Sequence, residues 1–578
     1  SLPFLVQQFT ITRHLLLPAK RLVKILTALI LSGAVNVPVY AAPLPDGSGS
    51  LNWSQTGVAY NDPGVQLNRT REYMERQRVA RQIAEDRAKQ RAEVEGSGQE
   101  QQQAPENAVK FVLNDVKIDK SEVLAETEIK EITGKYIGQE VTLQSLYDIV
   151  NSINELYSEK GYLTCRAYLP PQTIKNGVVE IKIIEGKTGN VHISGNESTN
   201  DGYIAGRIGL DRGSISNINE LNDDLLRFNA TNDVQLRITM HAGAEPGTTD
   251  YVISAYEPQK NYINVYVDNA GSESSGEWRE GLFWTDRSLT GSRDMLTMSG
   301  MRSDGTKSFS AMYTVPLGRS GTKLGLTYST NSVKITDGEL EDLDIKGHSN
   351  AYGVSLIQPL VVTDTLRTEA TLDYGYQNSQ TDFLGIHWVD DTVKSYTAGF
   401  SMTNYGTSSI IYQKHNFRIG DSEDIAGEND NFSKYFFNGF WQKAYRAGQM
   451  LSARLDAQWS PDDYLTSAEQ FYIGGMYSVR GYEESYLGGD SGYSASLEYS
   501  VPLDKAKTTS AFCFFDYGAV YGDSAFDDHV LAGTGIGIKS TIDRKIYTSL
   551  TLGIPLMRDI NGDEVDKTRI HFMLNGQF

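Results

Sequence analysis

The chain has almost no cysteine, little histidine and no excess of basic charge, and each shortage closes a class of function. Only Cys165 and Cys513 occur in 578 residues, so no disulfide framework is the stabilising device. The eight histidines are scattered, and no His or Cys pair shows ligand spacing, so neither a metal nor another cofactor is expected. H-E-x-x-H and G-x-S-x-G are both missing. The nearest thing to a phosphate loop is EGKTGN at Glu185 to Asn190, but Ile181 stands where its first glycine is required, and the stretch reads as a turn after a strand. No enzyme constellation emerges. Lys and Arg number 53 against 73 Asp and Glu, a net charge of -20, which disfavours a nucleic-acid partner because phosphate binding needs clustered cations. The apolar run from Ile25 to Val35 is shorter than the roughly 20 residues that cross a bilayer. It follows Arg13, Lys20, Arg21 and Lys24 and precedes VPVYAAP, so residues 1–41 read as an export signal, with the mature chain starting near Ala42.

What is abundant points to β-hairpins: Gly 54 and Tyr 33, with a charged fraction too ordinary for disorder. The exception comes early. Leu67 to Glu95 holds strong helix formers, with Asn68 as N-cap and Glu72 four residues before Arg76. This helix is polar all round, so it is either a solvated spacer or the occupant of a water-filled polar cavity. Residues 96–108 then read as a flexible linker, which closes a segment running over 42–108.

Residues 109–186 read as a small α/β unit. VKFVLNDVKI is a strand, and Leu143, Leu146, Val150, Ile153 and Tyr157 recur at helical spacing. Val179, Ile181 and Ile183 alternate in a further strand. Residues 187–258 repeat the theme, with GNVHISGN, then the helix NINELNDDLLRF, then the strands VQLRITMHA and DYVISAYEP. From 259 to 578 the pattern becomes alternation. In MLSARLDAQWS, Leu451, Ala453, Leu455, Ala457 and Trp459 fall on one face and polar residues on the other. About 16 strands fit, with short turns at one end and longer polar loops such as 331–347, 378–391 and 420–431 at the other, the pattern of an outer-membrane barrel. Such a barrel has an aqueous lumen unless something fills it. The last strand alternates through Ile570, Phe572 and Leu574 to Phe578, which places the terminal aromatic at the lipid boundary.

FYIGGMYSVRGYEES, from Phe471 to Ser485, lies in the long connection 461–490 between the eleventh and twelfth strands. Ile473, Gly474, Gly475, Val479 and Gly481 suit a loop packed against a wall inside a cavity rather than a solvated one. An arginine buried there needs an anion. AFCFFDYGAVY in the thirteenth strand offers Asp516, which shares an inward face with Phe512, Phe514 and Gly518.

Together, Val479, Arg480, Gly481 and Tyr482, the set FFDYG at Phe514 to Gly518, GYLTCRAYLPPQTIKNGVVEIKIIEGKTG at Gly161 to Gly189, and two tandem modules before a barrel resemble the two-partner secretion (TpsB) transporters of the FhaC and ShlB type. The resemblance covers essentially the whole mature chain. It implies two POTRA domains, an amino-terminal helix plugging the lumen, and pairing of Arg480 with Asp516. It also implies a carboxyl-terminal assembly signal at Phe578 and, as partners, a secreted TpsA-type exoprotein, the barrel assembly machinery and outer-membrane lipid. An insertase of the related BamA type and a passive porin remain as alternatives, disfavoured respectively by the plug helix with only two modules and by the POTRA pair.

Overall fold

The computed structural model describes residues 61–89, 93–95 and 109–578, except 339, 524 and 526. The expected export signal and the linker 96–108 lie outside the described residues. Two compact units result, one comprising 90–258 and the other the helix and the barrel.

Helix α1 runs Pro63–Ala88. It begins earlier than the sequence reading placed it. Asp62, rather than Asn68, is the N-cap: its carboxylate accepts from the amides of Gly64 at 2.7 Å and Val65 at 3.1 Å, and Pro63 supplies a pre-set first turn. The helix also ends sooner, at Ala88, and Glu95 stands in an extended pairing instead.

In the unit 90–258, the first module holds β1 (Phe111–Val112), β2 (Asp115–Ile118), α2 (Glu126–Gly134), β3 (Glu140–Val141), α3 (Leu143–Glu159), β4 (Cys165–Tyr168) and β5 (Val178–Glu185). Its main sheet has the order β2-β5-β4. Leu146, Ile149, Val150, Ile153 and Tyr157 of α3 are buried on Cys165, Ala167, Val179 and Ile181. Each such burial is worth about 1.5–3 kcal/mol. The second module holds β6 (Lys187–Ser194), α4 (Asp201–Ala205), α5 (Ile218–Thr231), β7 (Gln235–Ala242) and β8 (Thr248–Tyr256), with the sheet order β6-β8-β7. In both sheets the last strand lies in the middle, parallel to the first and antiparallel to the second.

The barrel opens with β9 (Asn261–Asp268), β10 (Arg279–Asp286), β11 (Met295–Arg302), β12 (Thr306–Leu317), β13 (Thr322–Lys334) and β14 (Lys346–Val362). It continues through β15 (Leu366–Phe383), β16 (Ile386–Tyr405), β17 (Ser409–Glu423), β18 (Asn429–Ala444) and β19 (Met450–Trp459). The inward connection carries β20 (Phe471–Ile473) and β21 (Leu487–Gly489), a small hairpin. Then follow β22 (Ser491–Pro502), β23 (Thr509–Tyr521), β24 (Val530–Ile542), β25 (Ile546–Pro555), the short pair β26 (Asp559–Ile560) and β27 (Asp563–Glu564), and β28 (Arg569–Gln577). Sixteen of these strands close, with β28 against β9. The segments 378–391 and 420–431, read as loops, are mostly strand: β15 and β16 meet in a tight hairpin after Phe383. Both faces of those strand ends are polar, so no alternation marks them. The outward face is apolar, with Leu372 61% and Ile536 61% exposed, as a lipid-facing wall requires.

Candidate functional site

Helix α1 occupies the lumen, which decides between the two readings of its polar surface. Its side chains find partners on the wall rather than a hydrophobic seat. Glu75 receives Lys414 at 2.9 Å, and Asp86 receives Arg367 at 3.1 Å and the Tyr405 hydroxyl at 2.7 Å. Arg287 pairs with Glu85. Apolar contact is confined to small clusters, such as Val79 and Ile83 against Tyr405, Ile410, Tyr412 and Phe440. A residual cavity of about 290 Å³ remains beside the helix, with Glu75, Arg78, Asp373, Lys414 and Arg418 in its lining.

The connection 461–490 folds inward and meets the same helix. Arg69 of α1 pairs with Glu484 at 3.0 Å. The Asn68 amide donates to Ala468 O at 3.2 Å, and Ser467 donates to the capping carboxylate of Asp62. Arg76 lies over the Tyr477 ring at 5.4 Å. The plug and the loop thus form one polar assembly.

The loop tip sits where alternation along the thirteenth strand placed its partner. Arg480 Nε donates to Asp516 Oδ2 at 2.7 Å, Nη2 donates to Oδ1 at 2.9 Å, and the Arg480 amide donates to Oδ2 at 3.0 Å. The guanidinium also stacks 3.6 Å from the Phe514 ring centroid. Asp516 is fully buried. The structure adds residues that the sequence reading missed. Arg480 Nη1 donates to Glu498 Oε2 at 2.8 Å, and Lys539 pairs with the other oxygen of Glu498. Ser496 Oγ donates to Asp516 at 2.6 Å. Two cations and two carboxylates therefore close a neutral network, the condition under which charges survive burial. Glu498 became visible only through register, because Ser496 lies opposite Asp516 and Glu498 opposite Phe514.

The other motif residues act by fit. Val479 is fully buried, and a Cβ on Gly518 would come within 3.0 Å of its Cγ2. Gly481 has φ +102° and donates from its amide to His571 Nε2 at 3.1 Å. Gly533 had given no signal, yet a Cβ there would stand 2.1 Å from the Arg480 carbonyl. The Tyr482 hydroxyl donates towards the carbonyls of Ala532 at 2.8 Å and Met557 at 2.9 Å. Phe578 lies at the seam between the first and last strands, where its backbone exchanges hydrogen bonds with Ile263 at 2.8 and 2.9 Å.

The sequence model of the haemolysin secretion/activation protein ShlB/FhaC/HecB family matches residues 247–540, just over half of the chain. The chain belongs to this family. Residues 111–186 match the ShlB-type POTRA domain. Among relatives, the heme/hemopexin transporter protein HuxB of Haemophilus influenzae is 24% identical over 490 residues, covering 78% of this chain and 85% of the relative. The outer membrane transporter CdiB of Escherichia coli is 22% identical over 470 residues, covering 77% and 79%. The solved structure of CdiB from Escherichia coli shares the fold at TM-score 0.60 and 19% identity, over 89% of this chain and 98% of that one. As a ShlB/FhaC/HecB-type protein, the chain is an outer-membrane transporter that secretes a partner protein, which sets aside the insertase and porin alternatives.

Proposed function

We propose that the transporter exports a large TpsA-type exoprotein, haemolysin- or adhesin-like, from periplasm to cell surface without ATP and without any catalytic step. The observation that carries this reading is the polar plug. Helix α1 is held in the lumen by ion pairs and hydrogen bonds instead of an apolar face. Its withdrawal exposes polar groups to water on both sides, which costs far less than exposing a hydrophobic seam.

In this reading the POTRA modules, 109–186 and 187–258, capture an extended segment by strand addition. The plug then leaves, the chain threads the barrel of residues 259–578, and folding outside prevents return. Arg480, held by Asp516, fixes the inward pose of the loop, with Val479, Gly481, Tyr482, Phe514 and Gly518 shaping its seat. Phe578 is the signal read by the barrel assembly machinery, and the apolar outer wall meets lipid.

Deleting residues 63–88 tests the plug. Barrel assembly should persist while conductance in planar bilayers rises, because a polar segment is removed from a polar channel. Unchanged conductance would overturn the plug role.

A further inference from the structure

The lumen holds a second cluster of charges, and this one does not balance. A cavity of about 70 Å³ lies between α1 and the inner faces of β11 to β15, room for a few waters or one tetrahedral oxyanion. Five cations line it: Arg78 and Arg81 from the plug, and Arg293, Lys323 and Arg367 from the wall. The lining carboxylates are Glu85 and Glu369. Arg293 precedes β11 in the left-handed region, at φ +54°, which an arginine adopts at a cost, and it is only 5% exposed. A strained backbone thus delivers a buried cation to the cavity.

The carboxylates within reach are already shared. Glu369 accepts from Arg367 Nε at 2.7 Å and lies 3.7 Å from Arg78. Arg78 also pairs with Glu75 at 2.8 Å, which takes Lys414 at 2.9 Å as well. Asp86 takes Arg367 at 3.1 Å and Lys89 at 3.3 Å, and Glu85 takes Arg287. Among the described residues, the five lining cations and the three that share their carboxylates, Lys89, Arg287 and Lys414, make eight against four. Adding Asp373, which lines the neighbouring cavity with Lys414, raises the four to five. The Arg480 cluster is neutral, whereas here the plug presents cations to a cationic wall. Excess buried charge is costly unless a counter-charge enters, and water supplies none.

We infer that this cavity binds a tetrahedral oxyanion of the phosphate or sulfate class, which bridges the cations of the plug to those of the wall and so holds α1 seated. Four of the five lining cations are arginines, whose planar forks match oxyanion geometry and gain little from a halide. With the anion in place the two surfaces are joined; without it, like charges face each other across the cavity. This rests on the plug reading above.

The test uses the full-length protein in planar bilayers, with inorganic phosphate, then sulfate, exchanged for chloride at constant pH and ionic strength. Opening frequency should fall as phosphate rises, about tenfold at ten times its dissociation constant, because only the plugged state completes the site. Equal frequencies in chloride and phosphate would overturn the proposal, since screening alone treats the two alike. Arg293→Gln with Lys323→Gln removes two cations from the excess, so this variant should open less often than the parent protein in chloride and should ignore phosphate. A phosphate response that survives, or more frequent opening in chloride, would overturn the assignment. Hydrogen exchange in nanodiscs gives a readout independent of conductance: phosphate should slow the Arg78 to Glu85 amides about tenfold at the same concentration, and unaltered exchange would refute the site. If exchange slows while deletion of residues 63–88 leaves conductance unchanged, the plug role fails and the anion site stands.

Discussion

Replacing Arg480 by Ala removes the guanidinium from every member of its network at once. Asp516 keeps the Ser496 hydroxyl and Glu498 keeps Lys539, but two buried carboxylates then face one cation. Breaking a buried pair in this way costs about 3–5 kcal/mol. At about 1.4 kcal/mol per tenfold, hydrogen exchange of the Val479 to Tyr482 amides should accelerate by roughly 10²-fold to several thousandfold. Asp516→Asn should do less, about 1.5–3 kcal/mol, because Arg480 retains Glu498 at 2.8 Å while losing a charged acceptor. Arg480→Lys should not restore the loop, since an ammonium cannot reach Asp516 and Glu498 with a planar fork. The double variant Arg480→Ala with Asp516→Asn should be less than additive, because no unpaired carboxylate remains at position 516. Secretion should fall in the same order while outer-membrane levels stay near normal. Exchange at the loop tip that does not change in Arg480→Ala, or a double variant that proves additive, would refute the reasoning.

Gly533→Ala should displace the loop tip, since its Cβ would meet the Arg480 carbonyl at 2.1 Å, and protease sensitivity of 461–490 should rise without loss of the barrel. Tyr482→Phe should cost about 1–3 kcal/mol of loop stability, because its hydroxyl serves the Ala532 and Met557 carbonyls, and it should show faster exchange in the same segment. Arg69→Glu should raise the frequency of channel opening, and Glu484→Arg combined with it should lower that frequency again by restoring the 3.0 Å pair in reverse. Cys513 faces outward, whereas burial, with Glu185 adding to it, pushes the Cys165 thiol up to about 11. An apolar maleimide should therefore label Cys513 in native membranes and Cys165 only after denaturation.

Strand periodicity made the barrel legible, because inward and outward residues differ in polarity along most of β9 to β28. It also placed Asp516, whose neighbours Cys513, Phe515 and Tyr517 occupy the opposite face. The same logic failed at the long ends of β15 to β18, where polar residues occupy both faces. Glu498 and Lys539 stayed hidden because recognising them requires knowing which residues lie opposite one another across β22, β23 and β24. The bounds of α1 were misread for a local reason. Asp62 followed by Pro63 is the stronger start signal, and the helix formers past Ala88 suggest a continuation that the chain does not make. Val94 and Glu95 answer to a tertiary partner, the β7 edge, which no local pattern reveals.

In the proposed mechanism the partner passes through the lumen that α1 fills. Met74 Sδ lies 3.8 Å from Ser299 Oγ on β11, so Met74→Cys with Ser299→Cys should tether the plug to the wall. With Cys165 and Cys513 replaced by Ser, secretion of the co-expressed exoprotein should fall to background under oxidising conditions and recover on adding reductant, at constant transporter level. Secretion that continues with the plug verifiably cross-linked would contradict the account.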